Sequence, residues 1–195
     1  MSGRRAQIAS EFRTAKELFK LDAARWLIPE EVGDVSAVDR HAIPRLLWRN
    51  PPLRALCWYR FGGAAMALGV RGAAGGIQRR LLRLYGLEIL VGQPTGGGLY
   101  IAHPVGCVLV SESIGENVTI ISQVTFGTRG EGVWPTIGDR CFFGAGARVL
   151  GGVEVGADAK IGANAVVLSD IPAGATAVGI PAKVVEARRQ NGVSS

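Results

Sequence analysis

Residues 137–173 read IGDRCFFGAGARVLGGVEVGADAKIGANAVVLSDIPA, and an apolar residue returns at every sixth position of this stretch. These positions are Ile137, Phe143, Val149, Val155, Ile161, Val167 and Ala173. A second, mostly smaller apolar residue follows four positions later, as at Cys141, Ala147, Val153, Ala159, Ala165 and Ile171. A period of six matches neither the 3.6-residue period of an α-helix nor the alternation of a hairpin strand. It predicts a prism of parallel strands with three flat faces, one hexapeptide per face, whose larger apolar residues fill the axis.

The same period holds upstream, but the two stretches do not join evenly. The upstream positions are Val108, Ile114, Ile120 and Phe126. Phe126 and Ile137 are eleven positions apart, and residues 127–136, GTRGEGVWPT, fill the gap. We therefore expect a loop that leaves the prism here. Loops carried by a rigid scaffold are common places for binding and catalysis.

Before about residue 86 the apolar pattern is helical, with candidate segments at 10–27, 43–68 and 77–85. We expect the Pro51-Pro52 pair and the glycine-rich stretch 72–76 to break these segments. The chain is therefore divided into a helical cap and assembly region (1–86), a prism domain (87–185) with the extruded loop 127–136, and a flexible tail (186–195). The cap closes the open end of the prism.

The composition is that of a globular protein, with 48% hydrophobic residues and a formal net charge of +6 among 195 residues. Much of the positive charge precedes residue 90, which is typical of a solvated helical face. No nucleic-acid-binding module accompanies it, so no nucleic-acid partner is expected. A peripheral membrane contact of the cap stays open. Three distant cysteines provide neither a disulfide framework nor a zinc site, and two histidines are too few for a β-helical metal enzyme. We expect a cytoplasmic protein without a metal.

Five short motifs point to a known family: GLYIAHPVG (98–106), VTFG (124–127), FGAGA (143–147), IGA (161–163) and GIPAK (179–183). Together they resemble the serine acetyltransferase branch of the hexapeptide-repeat acyltransferases. The resemblance implies a mainly β fold, a left-handed parallel β-helix of hexapeptide repeats with an N-terminal α-helical cap. It also implies a homotrimeric O-acetyltransferase that uses acetyl-CoA as the acyl donor.

The resemblance assigns roles to individual residues. His103 matches the histidine that deprotonates the acceptor hydroxyl, a task suited to a base with a near-neutral pKa. Glu88, fifteen positions earlier, replaces the family's aspartate that orients this imidazole; the alternative is a solvated carboxylate without that role. Acetyl-CoA would lie between adjacent prisms of a trimer, on Gly127, Thr128, Ala145, Ala163 and Lys183. Cys107 and Cys141 are interpreted as residues that fill the repeat rather than as nucleophiles.

Two departures from serine acetyltransferases concern the acceptor. Ala102 stands where the family has an aspartate, and Val133-Trp134 stands where it has an Arg-His pair that binds the serine carboxylate. Without these charges, free serine loses charge-assisted hydrogen bonds. Trp134 offers a flat apolar face that suits a sugar ring, although a role in loop packing or in a trimer contact fits equally well.

The pattern resembles the shorter serine acetyltransferase-like enzymes associated with polysaccharide biosynthesis. We therefore predict a glycan or another uncharged hydroxyl as the acceptor, with Ala102 and Trp134 beside it. Two alternatives are a serine O-acetyltransferase of cysteine biosynthesis and a non-catalytic β-helical assembly module. The sequence after residue 185 lacks the isoleucine end with which family members dock into cysteine synthase, so no stable complex with that enzyme is expected.

Overall fold

The computed structural model describes residues 2–27, 41–130 and 132–185. Within them, four helices precede fourteen strands. The helices are α1 (Ser2–Ala24), α2 (Ala42–Arg49), α3 (Pro51–Ala67) and α4 (Ala73–Tyr85). The strands are β1 (Leu87–Ile89), β2 (Tyr100–His103), β3 (Cys107–Leu109), β4 (Ser113–Ile114), β5 (Thr119–Ser122), β6 (Thr125–Gly127), β7 (Thr136–Ile137), β8 (Phe142–Phe143), β9 (Arg148–Leu150), β10 (Glu154–Val155), β11 (Lys160–Ile161), β12 (Val166–Val167), β13 (Thr176–Val178) and β14 (Lys183–Val185). The tail 186–195, expected to be flexible, lies outside the described residues.

The strands form three sheets, which are the three faces of the prism. One face has the order β1-β3-β6-β9-β12, a second β10-β7-β4, and a third β14-β13-β11-β8-β5-β2. All pairs are parallel except β13 with β14. Ile137 pairs with Val155, eighteen positions on, so one coil uses three hexapeptides. The predicted left-handed parallel β-helix is confirmed.

The axis of the prism is filled by large apolar side chains stacked from coil to coil. Ile120, Phe143 and Ile161 are fully buried and lie in register across three coils. The rings of Phe126 and Phe143 meet edge to face at 4.8 Å. Burying each such side chain stabilises the fold by roughly 1.5–3 kcal/mol. The hydrophobic core therefore depends on the large apolar residue that recurs at every sixth position.

Two positions of the predicted repeat are wrong. Leu109, not Val108, faces the axis, because Leu109 pairs with Phe126 only seventeen positions later. Ala173 is exposed, and the inward position is taken by Ile171, which bridges to Val155. In both cases a corner is one or two residues shorter than the regular repeat.

Of the two breaks predicted in the cap, one is confirmed and the other lies a few residues earlier than expected. The predicted break at Pro51-Pro52 is confirmed, because α2 ends at Arg49 and Pro51 is the first residue of α3, where a missing N–H costs nothing. The stretch 72–76 was expected to be a break, yet Gly72 is the left-handed N-cap of α4 and the following glycines are helical. No helix within the described residues has the length and apolar character needed to cross a bilayer.

A buried ion pair joins the cap to the first coil. The Arg60 guanidinium on α3 donates to both carboxylate oxygens of Asp22 on α1, at 2.8 and 2.9 Å. Arg60 also donates to the carbonyls of Thr95 and Gly96, and Asp22 accepts the Leu99 N–H at 2.9 Å. Burial raises the pKa of the Asp22 carboxyl, while Arg60 acts in the opposite direction. The Asp22–Arg60 ion pair and its hydrogen bonds therefore fix the backbone just before β2, the strand that ends at His103.

Candidate active site

His103 is the last residue of β2, at the prism edge where the chain turns into β3. Its backbone pairs in register with Ser122 of the next coil, and its side chain is exposed. The edge is held by the backbone, since the Gly106 N–H donates to the Gly86 carbonyl at 2.9 Å. The Cys107 thiol also donates to the His103 carbonyl, at 3.5 Å. A rigid backbone thus carries an accessible imidazole.

A cavity of about 420 Å³ lies beside His103, between the cap and β2. Its apolar wall includes Trp26, Pro51, Pro52, Leu84, Ala102 and Val105, and Asn50 and Tyr85 supply polar atoms. Among the described residues that line it, His103 alone carries an imidazole, the side chain used most often as a general base. The cavity therefore combines one base with an apolar wall that contains no carboxylate and no fixed cation.

Ala145 and Ala163 lie on the same prism edge as His103. The pairing of β2 with β5, β5 with β8 and β8 with β11 places His103, Ser122, Ala145 and Ala163 in one column. The Asn164 N–H donates to the Ala145 carbonyl at 2.8 Å, which holds two of these coils together. Both alanines are exposed. Coils about 4.8 Å apart with such small side chains form a narrow track on which an extended ligand can approach the backbone.

Lys183 lies near the far end of this track. It is exposed on β14 and pairs with Val178, the last residue of β13. An ammonium group there is available to a phosphate as a point charge. His103 and three of the five predicted acetyl-CoA residues thus lie along one edge and its continuation.

The extruded loop leaves a different edge of the prism. It connects β6 to β7 and lengthens its coil, because Ile114 pairs with Ile137 twenty-three positions later. Thr128 Oγ accepts the N–H groups of Gly130 and Gly132, each at 3.2 Å, so this predicted acetyl-CoA residue organises the loop. Trp134 is half-buried.

The loop also packs onto the next coil. Arg129 donates to the Leu168 carbonyl at 3.4 Å, and Arg129 and Val133 lie over Gly151 and Gly152 around a cavity of about 260 Å³. A Cβ at Gly151 would be 3.1 Å from the Arg129 side chain. The glycine pair therefore makes room for the loop.

The two edges are separated by the full width of one face. His103 precedes the β1-β3-β6 face, whereas Gly127, Thr128 and Trp134 follow it. A face of five or six residues at about 3.3 Å each is on the order of 15 Å wide. Ala102 and Trp134, predicted to contact one acceptor, are consequently not brought together within one chain.

Glu88 faces outward on the first strand of that face, between the buried Leu87 and Ile89. Its Cα partner in the next coil is Val108, five residues after His103. Within the part of the chain that the structure describes, no hydrogen bond joins Glu88 to His103. The orienting role of Glu88 stays a prediction.

Comparison with known proteins supplies the family. Residues 135–169 match the family described as bacterial transferase hexapeptide (six repeats). A serine acetyltransferase of Helicobacter pylori is 43% identical over 139 residues, which cover 69% of this chain and 81% of that protein. The chain belongs to the serine acetyltransferase family. A serine acetyltransferase of Escherichia coli is 35% identical over 153 residues, and the match covers 76% of this chain but 55% of that relative.

Solved structures agree with this family in fold. The serine acetyltransferase of Neisseria gonorrhoeae in complex with serine has a TM-score of 0.75 and 30% identity, covering 93% of this chain and 73% of that one. A serine acetyltransferase in complex with CoA has a TM-score of 0.73 and 30% identity, covering 93% of this chain and 75% of that one. The predicted enzyme class, an acyltransferase, is confirmed.

Within this serine acetyltransferase fold, the described residues contain no group of three His, Cys, Asp or Glu side chains that could hold a metal ion. The cysteines do not supply a nucleophile either. Cys107 and Cys141 are buried, and burial raises the pKa of the Cys141 thiol to about 11. His103 is the side chain of this site whose chemistry suits the activation of a hydroxyl.

No sequence pattern indicated Trp26 as a site residue, yet it forms part of the cavity wall in this serine acetyltransferase family member. Its ring lies 4.9 Å from that of Tyr100, and its Nε1 is buried without a hydrogen-bond partner among the described residues. Arg25 donates to Thr119 Oγ at 2.7 Å and thereby docks the end of α1 on the prism. No motif marks Trp26, because its place depends on this docking.

Proposed function

We propose that this chain is an acetyl-CoA-dependent O-acetyltransferase that passes the acetyl group directly to an acceptor hydroxyl, with His103 as the general base. One observation carries the proposal. His103 lies where the cavity beside the cap meets the edge that presents Ala145 and Ala163. The base is therefore next to a space for an acceptor and next to a track for an extended donor.

The chemistry follows from the thioester, which supplies an activated acyl carbon and a thiolate leaving group. An alcohol is a weak nucleophile until its proton is removed during attack. An imidazole nitrogen of His103 accepts that proton as the acceptor oxygen forms its bond to the acyl carbon. When the carbon–sulfur bond breaks, the imidazolium returns the proton to the sulfur. His103 ends in its starting state, and no covalent enzyme intermediate is needed.

L-serine is the first candidate acceptor. The Helicobacter and Escherichia relatives are serine acetyltransferases, and the Neisseria structure contains serine. These comparisons favour the alternative that the sequence left open over the uncharged hydroxyl that we preferred from Ala102 and Trp134. We therefore place serine O-acetylation first.

An uncharged, larger hydroxyl compound is the second candidate, and the cavity favours it. Its described wall offers neither an anion for an ammonium group nor a fixed cation for a carboxylate. A zwitterion at this place would lose the charge-assisted hydrogen bonds that make amino-acid binding strong. Unless another chain supplies those charges, the geometry fits an acceptor with apolar surface.

Assembly into a homotrimer would bring the divided donor residues together. The donor residues are divided between the edge of His103 and the edge of the extruded loop, on the order of 15 Å apart. A neighbouring prism that faces the His103 edge with its own loop would reunite them. Cyclic assemblies repeat one contact around an axis, so three such sites would form in a trimer.

The test is acetyl-CoA turnover, followed through the release of free thiol, with L-serine, neutral sugars or water as acceptor. We expect serine to support turnover and His103→Ala to reduce it by a factor of about 10² to 10⁴, the usual contribution of a general base. His41→Ala is the matched control, because His41 lies at the start of α2 and its loss should leave turnover unchanged.

Each outcome separates the candidates. Turnover with sugars but not with serine would replace the first candidate acceptor by the second. Equal losses in both histidine variants would contradict the role of His103. If CoA does not bind to the wild-type chain in calorimetry, the acetyltransferase proposal itself fails.

A further inference from the structure

The outer face of α2 is basic and aromatic. Arg45, Trp48 and Arg49 are all exposed, Trp48 to 80%, and their spacing of three and four residues places them on one side of the helix. The opposite side packs its apolar residues Ile43 and Leu46 against the cap core. An indole with most of its surface in water, between two guanidinium groups, has no role in packing the cap.

This face continues over α3 and α4. Arg54 donates to the Leu47 and Trp48 carbonyls at 2.7 and 2.9 Å and so ties α3 to α2. Trp58 is one turn further along α3, and the Arg80 guanidinium lies 4.0 Å above its ring. Arg83 is one turn beyond Arg80. We call the resulting patch the arginine surface: Arg45, Trp48, Arg49, Trp58, Arg80 and Arg83.

The charge of this region is entirely of one sign. Residues 41–85 contain eight arginines and no aspartate, glutamate or lysine. Within the described residues, Arg60 forms an ion pair with Asp22, and the arginines of the arginine surface form none. Their charges therefore add to a positive potential that attracts an anionic partner.

The chemistry of the patch selects among anionic partners. A second copy of the chain is a poor partner. In a twofold-symmetric contact through this surface, the arginines of one copy would face those of the other, and their like charges would repel. Exposed indoles beside arginines suit the headgroup layer of a bilayer, where the ring is partly buried and the guanidinium meets phosphate. We propose that the arginine surface binds the surface of an anionic phospholipid bilayer.

The proposal is independent of the acceptor and is tested by sedimentation of the full chain with vesicles. The probes are vesicles of phosphatidylglycerol mixed with phosphatidylcholine, and vesicles of phosphatidylcholine alone, in roughly 0.1 M salt. We expect binding to the anionic vesicles only. Arg45→Gln with Arg49→Gln should weaken it at least tenfold, since each basic residue near an anionic membrane contributes a factor of about five. Trp48→Ala should weaken it as well.

The matched control is Arg13→Gln with Lys16→Gln, which removes two exposed charges from α1. An equal loss in this control would show an effect of net charge and contradict the arginine surface. So would binding to both kinds of vesicle or to neither. Acetyl transfer by all these variants should stay at the wild-type rate, so a failure of vesicle binding is distinguishable from a failure of the enzyme.

Two further experiments test whether something other than a bilayer binds the arginine surface. The sequence 28–40 contains Glu30, Glu31, Asp34 and Asp39. If vesicles bind only after these four are changed to their amides, an acidic segment of the chain competes for the surface and the proposal is wrong for the native protein. Binding to a single-stranded nucleic acid in place of vesicles would likewise overturn it.

Discussion

At the scale of single residues, burial in the prism controls the chemistry of the cysteines. The Cys141 thiol donates to the Gly156 carbonyl at 3.2 Å, and burial raises its pKa to about 11. At pH 8 only about one molecule in a thousand then carries the reactive thiolate. We expect iodoacetamide to leave Cys141 unmodified in the native protein and to modify it after unfolding. Peptide mass spectrometry checks this, with the half-buried Cys57 as the internal comparison; equal native rates at both cysteines would contradict the prediction.

The same scale shows which site residues a sequence can reveal. His103, Ala145 and Ala163 were assigned through the family resemblance, because each stands inside one of the motifs that carry it, and their roles stay predictions. Trp26 was not found, because an aromatic residue at a helix end is usually a packing residue. Its contribution to the cavity results from contacts with Tyr100, which is remote in sequence. Residues placed by tertiary docking carry no local signal.

Among the residues that connect elements, the Asp22–Arg60 pair is expected to matter most for stability. Asp22→Ala would leave a buried guanidinium without its counter-ion, and breaking a buried pair in this way costs about 3–5 kcal/mol. Glu17→Ala is the matched control, since it removes the exposed Lys20–Glu17 pair at a cost of about 1 kcal/mol or less. Urea unfolding should show a large shift of the midpoint for the first variant only. Similar midpoint shifts in the two variants would mean that the Asp22–Arg60 pair does not connect the cap to the prism.

At the scale of the elements, several corners of the coils leave no room for an added Cβ. A Cβ at Gly144 would lie 2.6 Å from the Ala163 backbone nitrogen of the next coil. Gly144→Ala should therefore destabilise the protein by about 1–3 kcal/mol, as overpacking does. Gly76→Ala, on α4 with nothing within 4 Å of the added atom, should instead stabilise it by roughly 0.5–1 kcal/mol. Thermal unfolding of the two variants gives the signs; a stabilised Gly144→Ala would refute the close stacking.

The elements also show where the six-residue repeat fails to predict the inward-facing residues. The repeat predicted the inward residues of the regular coils because each face there uses one hexapeptide. It was wrong at Val108 and Ala173 because corners near the two ends of the prism are shorter. In the cap, Pro51 marks the predicted break between α2 and α3, whereas the break before α4 ends at Gly72 and residues 73–76 are helical. A proline or glycine in the sequence thus indicates that a helix boundary is near, but not whether the residue itself belongs to the helix.

For the whole molecule, the extruded loop and the prism should be separable. Removing residues 129–133 shortens the interval between Phe126 and Ile137 from eleven positions to six and restores the regular repeat. We expect the shortened chain to keep its β-helix by circular dichroism and to lose acetyl transfer, because the loop carries Trp134 next to the deleted segment. Full activity of this variant would exclude the loop from the site.

The separation of His103 from the loop also predicts how two inactive chains behave together. A His103→Ala chain retains its loop, and the chain lacking residues 129–133 retains its histidine. If each site takes its histidine from one chain and its loop from the neighbour, random assembly of equal amounts gives about one functional site in four. Refolding the two variants as a mixture should therefore restore about a quarter of the wild-type turnover, whereas the separately refolded variants stay inactive. A site built within a single chain would give no recovery, because neither chain then holds both parts.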